Sequence, residues 1–176
     1  LLERDARYLR LAERVDAQES LAGFCTLMDP SYERAQHTDL LCAELEAVDH
    51  GDNDRLIVML PPRHSKTWHT SIHFPAWSMG RNPRQQMILA SYSADLAWEN
   101  SGKARDLFKH PFWPFTARLH EDKQSEHRWR TSAGGVLVAA GVGGPATGFG
   151  AHKLVIDDYV KNRQDADSET VRESQW

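Results

Sequence analysis

Arg55-Leu56-Ile57-Val58-Met59-Leu60 runs directly into Pro61-Pro62-Arg63-His64-Ser65-Lys66-Thr67, and the reading of this stretch decides the fold. Leu56 to Leu60 are all apolar, with β-branched residues at 57 and 58, the composition of a strand buried in a parallel sheet. Pro61-Pro62 ends the run, and a helix-forming stretch opens at Lys66. A phosphate-binding loop, G-x-x-x-x-G-K-[ST], stands in the same place between strand and helix. Here Leu60 and Ser65 replace both glycines, while Lys66 and Thr67 remain. Such a loop aims backbone N–H groups into one concavity ahead of a helix N-terminus, with an ammonium on the β- and γ-phosphates and a hydroxyl on Mg²⁺. Lys66 and Thr67 supply the last two. As a bare pattern the signal is weak, because glycine is its defining feature.

Downstream, Gln86-Met87-Ile88-Leu89-Ala90-Ser91 reads as a second buried strand, and Ser93 caps a helix through about Phe108. Arg128 to Thr131 and Val136 to Ala140 flank Ala133-Gly134-Gly135 as a hairpin. Lys153-Leu154-Val155-Ile156-Asp157-Asp158 is a last strand that ends in two carboxylates, the form of a Walker B strand. Its first carboxylate, Asp157, would hold the Mg²⁺ shell, and Asp158 would orient the attacking water. An isolated Asp-Asp at a strand end more often caps a turn. Together with Lys66-Thr67 after an earlier strand, it carries far more weight. Upstream, helices are expected over about Glu3–Leu21 and Glu33–His50, the second stopped by Gly51. Lys66 to Met79 reads as a helix that Pro75 must kink or end. Strands alternating with helices imply an α/β fold with a mostly parallel sheet, with Leu56–Leu60, Met87–Ser91 and Leu154–Asp157 in one sheet.

The chain has 176 residues, 40% hydrophobic and 26% charged, the balance of a globular domain. No apolar run approaches the roughly 20 residues that span a bilayer, so no membrane association is expected. The net charge of −4 hides a partition. Residues 1–60 carry 6 basic against 13 acidic residues, residues 61–150 carry 11 against 6, and residues 151–176 carry 4 against 6. The middle segment favours phosphates, although the whole chain is not basic enough to bind nucleic acid by bulk charge. Cys25 and Cys42 are too few and too far apart in sequence for a disulfide framework or a zinc site, which points to a reducing, intracellular setting.

Pro61 to Thr67, then Phe74-Pro75-Ala76-Trp77, Gly80-Arg81-Asn82-Pro83 and Ala90-Ser91-Tyr92-Ser93, resemble the ATPase domain of the large terminase subunit of tailed bacteriophages. The resemblance continues through Gly141-Val142-Gly143-Gly144, Thr147-Gly148 and Val155-Ile156-Asp157-Asp158 to Lys161-Asn162 and Ser168. It implies a P-loop NTPase-type three-layer sandwich, with residues 1–54 a helical segment leading into an ATPase core over 55–176. The core is expected to be incomplete, since no strand with a coupling motif and no nuclease domain follows Asp158. The cofactors implied are ATP and Mg²⁺. Pro62, Arg63, His64, Ser65, Lys66 and Thr67 would cradle the phosphates, with Arg63 sensing the γ-phosphate. Thr67 and Asp157 would hold the metal, and Asp158 would serve the water. Tyr32 or Gln36 would contact the adenine. The implied partners are double-stranded DNA, the portal protein, the small terminase subunit and further copies in a ring. The implied place is the host cytoplasm, transiently at the procapsid portal.

Two departures from the family pattern count against full activity. Ser65 stands where glycine is usual, and Phe149 stands where relatives often carry arginine, which shifts any arginine-finger role towards Arg128 or Arg130. They motivate a second reading, a catalytically silent nucleotide-binding or assembly module. A helicase-like ATPase of another system is disfavoured by the run from Phe74 to Ser93. His69 and His73 have zincin spacing, but Thr70 replaces the general-base Glu, so the pair is not read as a metal site. Trp77, Trp98, Trp113 and Trp129 are read as core rather than base-stacking platforms. Arg81 to Arg84 and Lys103 to Arg105 are equally DNA contacts or solvated faces.

Overall fold

The computed structural model describes residues 2–122, 124–144, 148–160 and 163–170, without the side chains of 2–7, 163 and 166. Thr147, Lys161 and Asn162 therefore lie outside the described residues.

Three helices come first. The helix expected over Glu3–Leu21 is α1, over Leu2–Glu19, and a further helix, α2 over Leu21–Met28, follows it. The break is Ser20, whose extended backbone and hydroxyl, accepting from the Gly23 N–H at 3.2 Å, start α2 afresh. Helix α3 spans Gln36–His50 and ends where Gly51 turns to φ 84°. Pro75 is accommodated by a change of winding. Trp68–His73 forms a π-helical segment, in which the Phe74 N–H reaches back to the His69 carbonyl. Helix α4, Phe74–Arg81, then starts with Pro75 in its first turn, where no N–H is required.

The strands are β1 (Gln86–Ser91), β2 (Arg128–Arg130), β3 (Val136–Gly141) and β4 (Lys153–Asp157), with α5 (Ala94–Leu107) between β1 and β2. A short helix α6 covers Arg163–Asp167. The sheet order is β2-β3-β1-β4, with β1 parallel to both β3 and β4 and β2 antiparallel to β3. This is the mixed α/β architecture expected, in a four-stranded, mostly parallel open sheet.

Two expectations are corrected. Leu56–Leu60 joins no ladder among the described residues. Its side chains do alternate: Leu56, Val58 and Leu60 pack on the core, while Ile57 and Met59 are 84% and 87% exposed. A groove of about 640 Å³, lined by Leu56, Val58, Leu154 and Ile156 among others, lies between this run and the outer edge of β4, too wide for the two to pair. The three-layer sandwich is also met only in part. One sheet face, with Met87, Leu89, Leu137 and Ala139, is buried against helices and carries the core. On the opposite face, Leu154 and Ile156 remain more than half exposed, so among the described residues β4 has no second layer over it. An all-apolar strand reads as covered on both faces, and composition alone cannot show otherwise.

The tryptophans fall largely as expected. Trp77, Trp113 and Trp129 are core, Phe24 meets Trp113 edge-on, and Phe108 stacks on Trp113 at 4.1 Å. Trp98 is half-buried, its indole N–H donating to the Ala139 carbonyl. No helix among the described residues is long and apolar enough to cross a membrane.

Candidate functional site

The C-terminal ends of β1 and β4 meet the loop 61–67. Parallel pairing puts Ser91 opposite Asp157, on the buried face of the sheet. Asp158 follows with φ 47°, its carbonyl held by the Tyr92 N–H at 3.0 Å. The turn therefore sends two successive carboxylates in different directions, Asp157 inward and Asp158 outward, with the latter's side chain half-exposed.

Lys66 reaches both from the loop, 92 residues before Asp158 in sequence. Its Nζ donates to Asp158 Oδ1 at 2.8 Å and lies 3.7 Å from Asp157 Oδ1. The hydrogen bond to Asp158 raises the Lys66 pKa above the usual lysine value, against the opposing effect of burial. The second oxygen of Asp157, Oδ2, is buried without a hydrogen-bond partner, and so is the hydroxyl of Ser91. A buried carboxylate oxygen left unmatched costs on the order of 1–3 kcal/mol or more, so a hydrogen-bond donor or a cation beside Asp157 Oδ2 would be favourable. Thr67 immediately precedes the π-helical segment, and its side chain makes no capping bond there.

The loop is locally strained. Arg63 and Ser65 both have positive φ, 64° and 59°, and Ser65 is exposed. Left-handed backbone at a residue with a Cβ costs on the order of 1 kcal/mol. This is the conformation that the missing glycine would adopt freely, and Ser65 pays for it. The His64 ring stays local, its Nδ1 3.0 Å from the Pro62 carbonyl and its face near His37.

Beside the loop a shallow cleft is lined by Tyr32, His37, Thr38, Arg63, His64 and Trp68 among others. Tyr32 stacks on Trp68 at 5.1 Å, and its hydroxyl meets His69 Nε2 at 3.1 Å. Gln36 does not line this cleft; it is exposed at the start of α3. Of the residues singled out from sequence, the fold thus brings together Lys66, Asp157 and Asp158, with Thr67 adjoining. Arg63 and His64 stand at the cleft's rim. Ser91 was quoted in the sequence without a role. Its signal was position, since it ends β1 as Asp157 ends β4.

In the two basic segments that read equally as DNA contacts or solvated faces, three of the cations have acidic partners. Arg81 pairs with Asp49 at 3.3 Å and sits over the Trp77 ring, Lys103 pairs with Glu99, and Arg105 with Asp106. Arg128 lies over the ring of Phe149, 5.2 Å from its centre.

The family model "Terminase large subunit, T4likevirus-type, N-terminal" matches residues 57–176, more than half of the chain. The match begins inside the apolar run before the loop and includes Asp157 and Asp158. No curated protein and no solved structure shows significant similarity.

Proposed function

This chain belongs to the terminase large-subunit family, and on that premise we propose that it is the ATPase motor part of a viral DNA-packaging machine. It binds Mg-ATP on the loop 61–67 and couples hydrolysis to movement of double-stranded DNA into a procapsid. The observation that carries this reading is the meeting of Lys66 with Asp157 and Asp158, beside a buried, unmatched Asp157 Oδ2.

The residues present fit a magnesium ion. Asp157 Oδ2 is a hard oxygen without a partner, and the Thr67 hydroxyl is not spent on capping. Asp157 and Thr67 would hold the ion, which when bound spreads the negative charge of the phosphate oxygens. Lys66 trades its carboxylate partners for the β- and γ-phosphates, supplying a cation that is already desolvated in part. That exchange frees Asp158, which then accepts a hydrogen bond from the attacking water and fixes its line of approach. Arg63, at the exposed crest of the loop, answers the γ-phosphate. Tyr32 offers its ring edge to the base.

Pumping requires the DNA, a portal, the small terminase subunit and neighbouring copies in a ring, all in the host cytoplasm. Arg128 would serve a neighbour's phosphate only by leaving the Phe149 ring, and Arg130, exposed at the end of β2, is the alternative.

One observation favours the second reading, a silent nucleotide-binding or assembly module: Ser65 holds the glycine conformation at a cost, at the crest of the loop. Turnover of Mg-ATP, with and without double-stranded DNA, separates the two. A motor loses most turnover in Asp158→Asn while keeping nucleotide affinity. A silent module shows no turnover to lose.

A further inference from the structure

Cys25, Cys42 and His69, far apart in the chain and dismissed as a metal site on sequence spacing, are brought together under the phosphate loop. One ligand atom from each lies within 4.8 Å of the other two, and all three residues are buried. We infer that they form a binding site for a divalent metal of the zinc class, completed by the hydroxyl of Tyr32.

Four features carry the inference. The ligands come from three elements, α2, α3 and the π-helical segment, so their convergence is tertiary and not a by-product of one helix face. The imidazole is oriented as a ligand should be. His69 Nδ1 lies 2.8 Å from the Ser65 carbonyl, which can only accept, so the proton sits on Nδ1 and Nε2 keeps its lone pair. A backbone carbonyl on the second ring nitrogen is the usual way a metal-bound histidine is held. Nε2 faces the Tyr32 hydroxyl at 3.1 Å, which supplies an oxygen at the same place. Finally, the π winding that turns His69 inward is an irregularity found frequently at functional sites.

Charge selects the ion. Two thiolates and a neutral imidazole cancel a 2+ charge, so the loaded site is neutral and tolerates burial, whereas an unpaired charge would not. Thiolate with imidazole is the donor set of zinc, and the softness of the thiolates excludes the hard, oxygen-seeking Mg²⁺ and Ca²⁺. Loading displaces one proton from each cysteine to solvent, and Tyr32 keeps its proton while giving up its bond to Nε2. The competing explanation is that Cys25 and Cys42 are merely small apolar core residues. That accounts for the two thiols, and the bonds to Ser65 and Tyr32 account for the imidazole, but neither accounts for the convergence of all three ligand atoms within 4.8 Å.

Because His69 also holds the Ser65 carbonyl, the metal would fix the base of the loop and tie α2 and α3 to it. This inference is independent of any ATPase activity, and its test does not use one. The chain is produced with zinc in the medium, dialysed against metal-free buffer without chelator, and assayed by elemental mass spectrometry. Cobalt(II) is then added to metal-stripped protein. The expected result is equimolar zinc, and with cobalt a thiolate charge-transfer band in the near ultraviolet. The band should be reduced in Cys25→Ser and Cys42→Ser and lost in the double variant. Zinc far below equimolar in the wild-type chain, together with no thiolate band on cobalt addition, overturns the site. An undiminished band in the double variant does so as well. Both wild-type readings stand even where a variant fails to fold.

Discussion

Ser65 and His73 carry the largest residue-scale consequences. Ser65 sits at φ 59°, not at the negative φ that a residue with a side chain prefers. Ser65→Gly should therefore stabilise the chain by roughly 1 kcal/mol, offset in part by the extra freedom of glycine in the unfolded chain. It should also raise nucleotide affinity several-fold, because the Cβ no longer crowds the N–H groups. Urea unfolding and calorimetric Mg-ATP binding on the two proteins check both effects. Unchanged affinity would mean that the hydroxymethyl group already stands clear of the phosphates. His73 is buried between Trp68 and Phe24, and burial pushes its pKa down to about 4. The folded chain then holds fewer protons at this site than the unfolded one. Stability is fully present above the unfolded value of about 6.5 and is lost as pH falls towards about 4. Between about pH 7 and pH 5 the loss should be roughly 2 kcal/mol. In His73→Phe, that share of the acid slope should vanish. His69 is also held below the usual histidine value by burial, so the slope of wild type minus variant is the quantity to measure.

At the scale of elements, β1, β4, α5 and the hairpin were legible because each carries its own local signal. Apolar runs end in polar or acidic residues, Ser93 stands at a helix start, and glycines turn the hairpin. The run 56–60 carried the strongest strand composition of all, yet its ladder is missing. Composition reports how a segment would pack, while pairing depends on a neighbour that lies elsewhere in the chain. The structure keeps the alternation and omits the hydrogen bonds. Hydrogen exchange should register the difference. Amides of Met87 to Ser91, flanked by β3 and β4, should be protected close to the global unfolding limit, and those of Ile57 to Leu60 should exchange orders of magnitude faster. Comparable protection in the two segments would show that 56–60 is a ladder strand in solution. The π-helical segment was not legible either. Pro75 announced a disturbance, but whether a helix kinks, ends or rewinds depends on packing around residues 68–73, all of them buried but Trp68.

For the whole molecule, the decisive fact is that Lys66 meets Asp157 and Asp158 even though the segment leading into the loop is not in the sheet. The loop is carried instead by the π-helical segment against β4 and by His69 on Ser65. That explains why a lysine and two carboxylates that meet in the fold could be singled out from sequence while what supports them could not. Motif residues are local, whereas the buried histidine, the two cysteines and the hydroxyl of Ser91 acquire meaning only from tertiary contact. The same limit applies to the basic segments, where sequence counts charges and the fold shows most of them paired. On the proposed function, Lys66 is poised for a phosphate, with Asp157 and Asp158 as its resting partners. Calorimetric titration of Mg-ATP into the wild-type chain and Lys66→Ala tests it most directly. The wild type should bind measurably, and binding should weaken at least about tenfold, or about 1.4 kcal/mol, in the variant. Equal affinity in the two proteins, or none in the wild type, would contradict it.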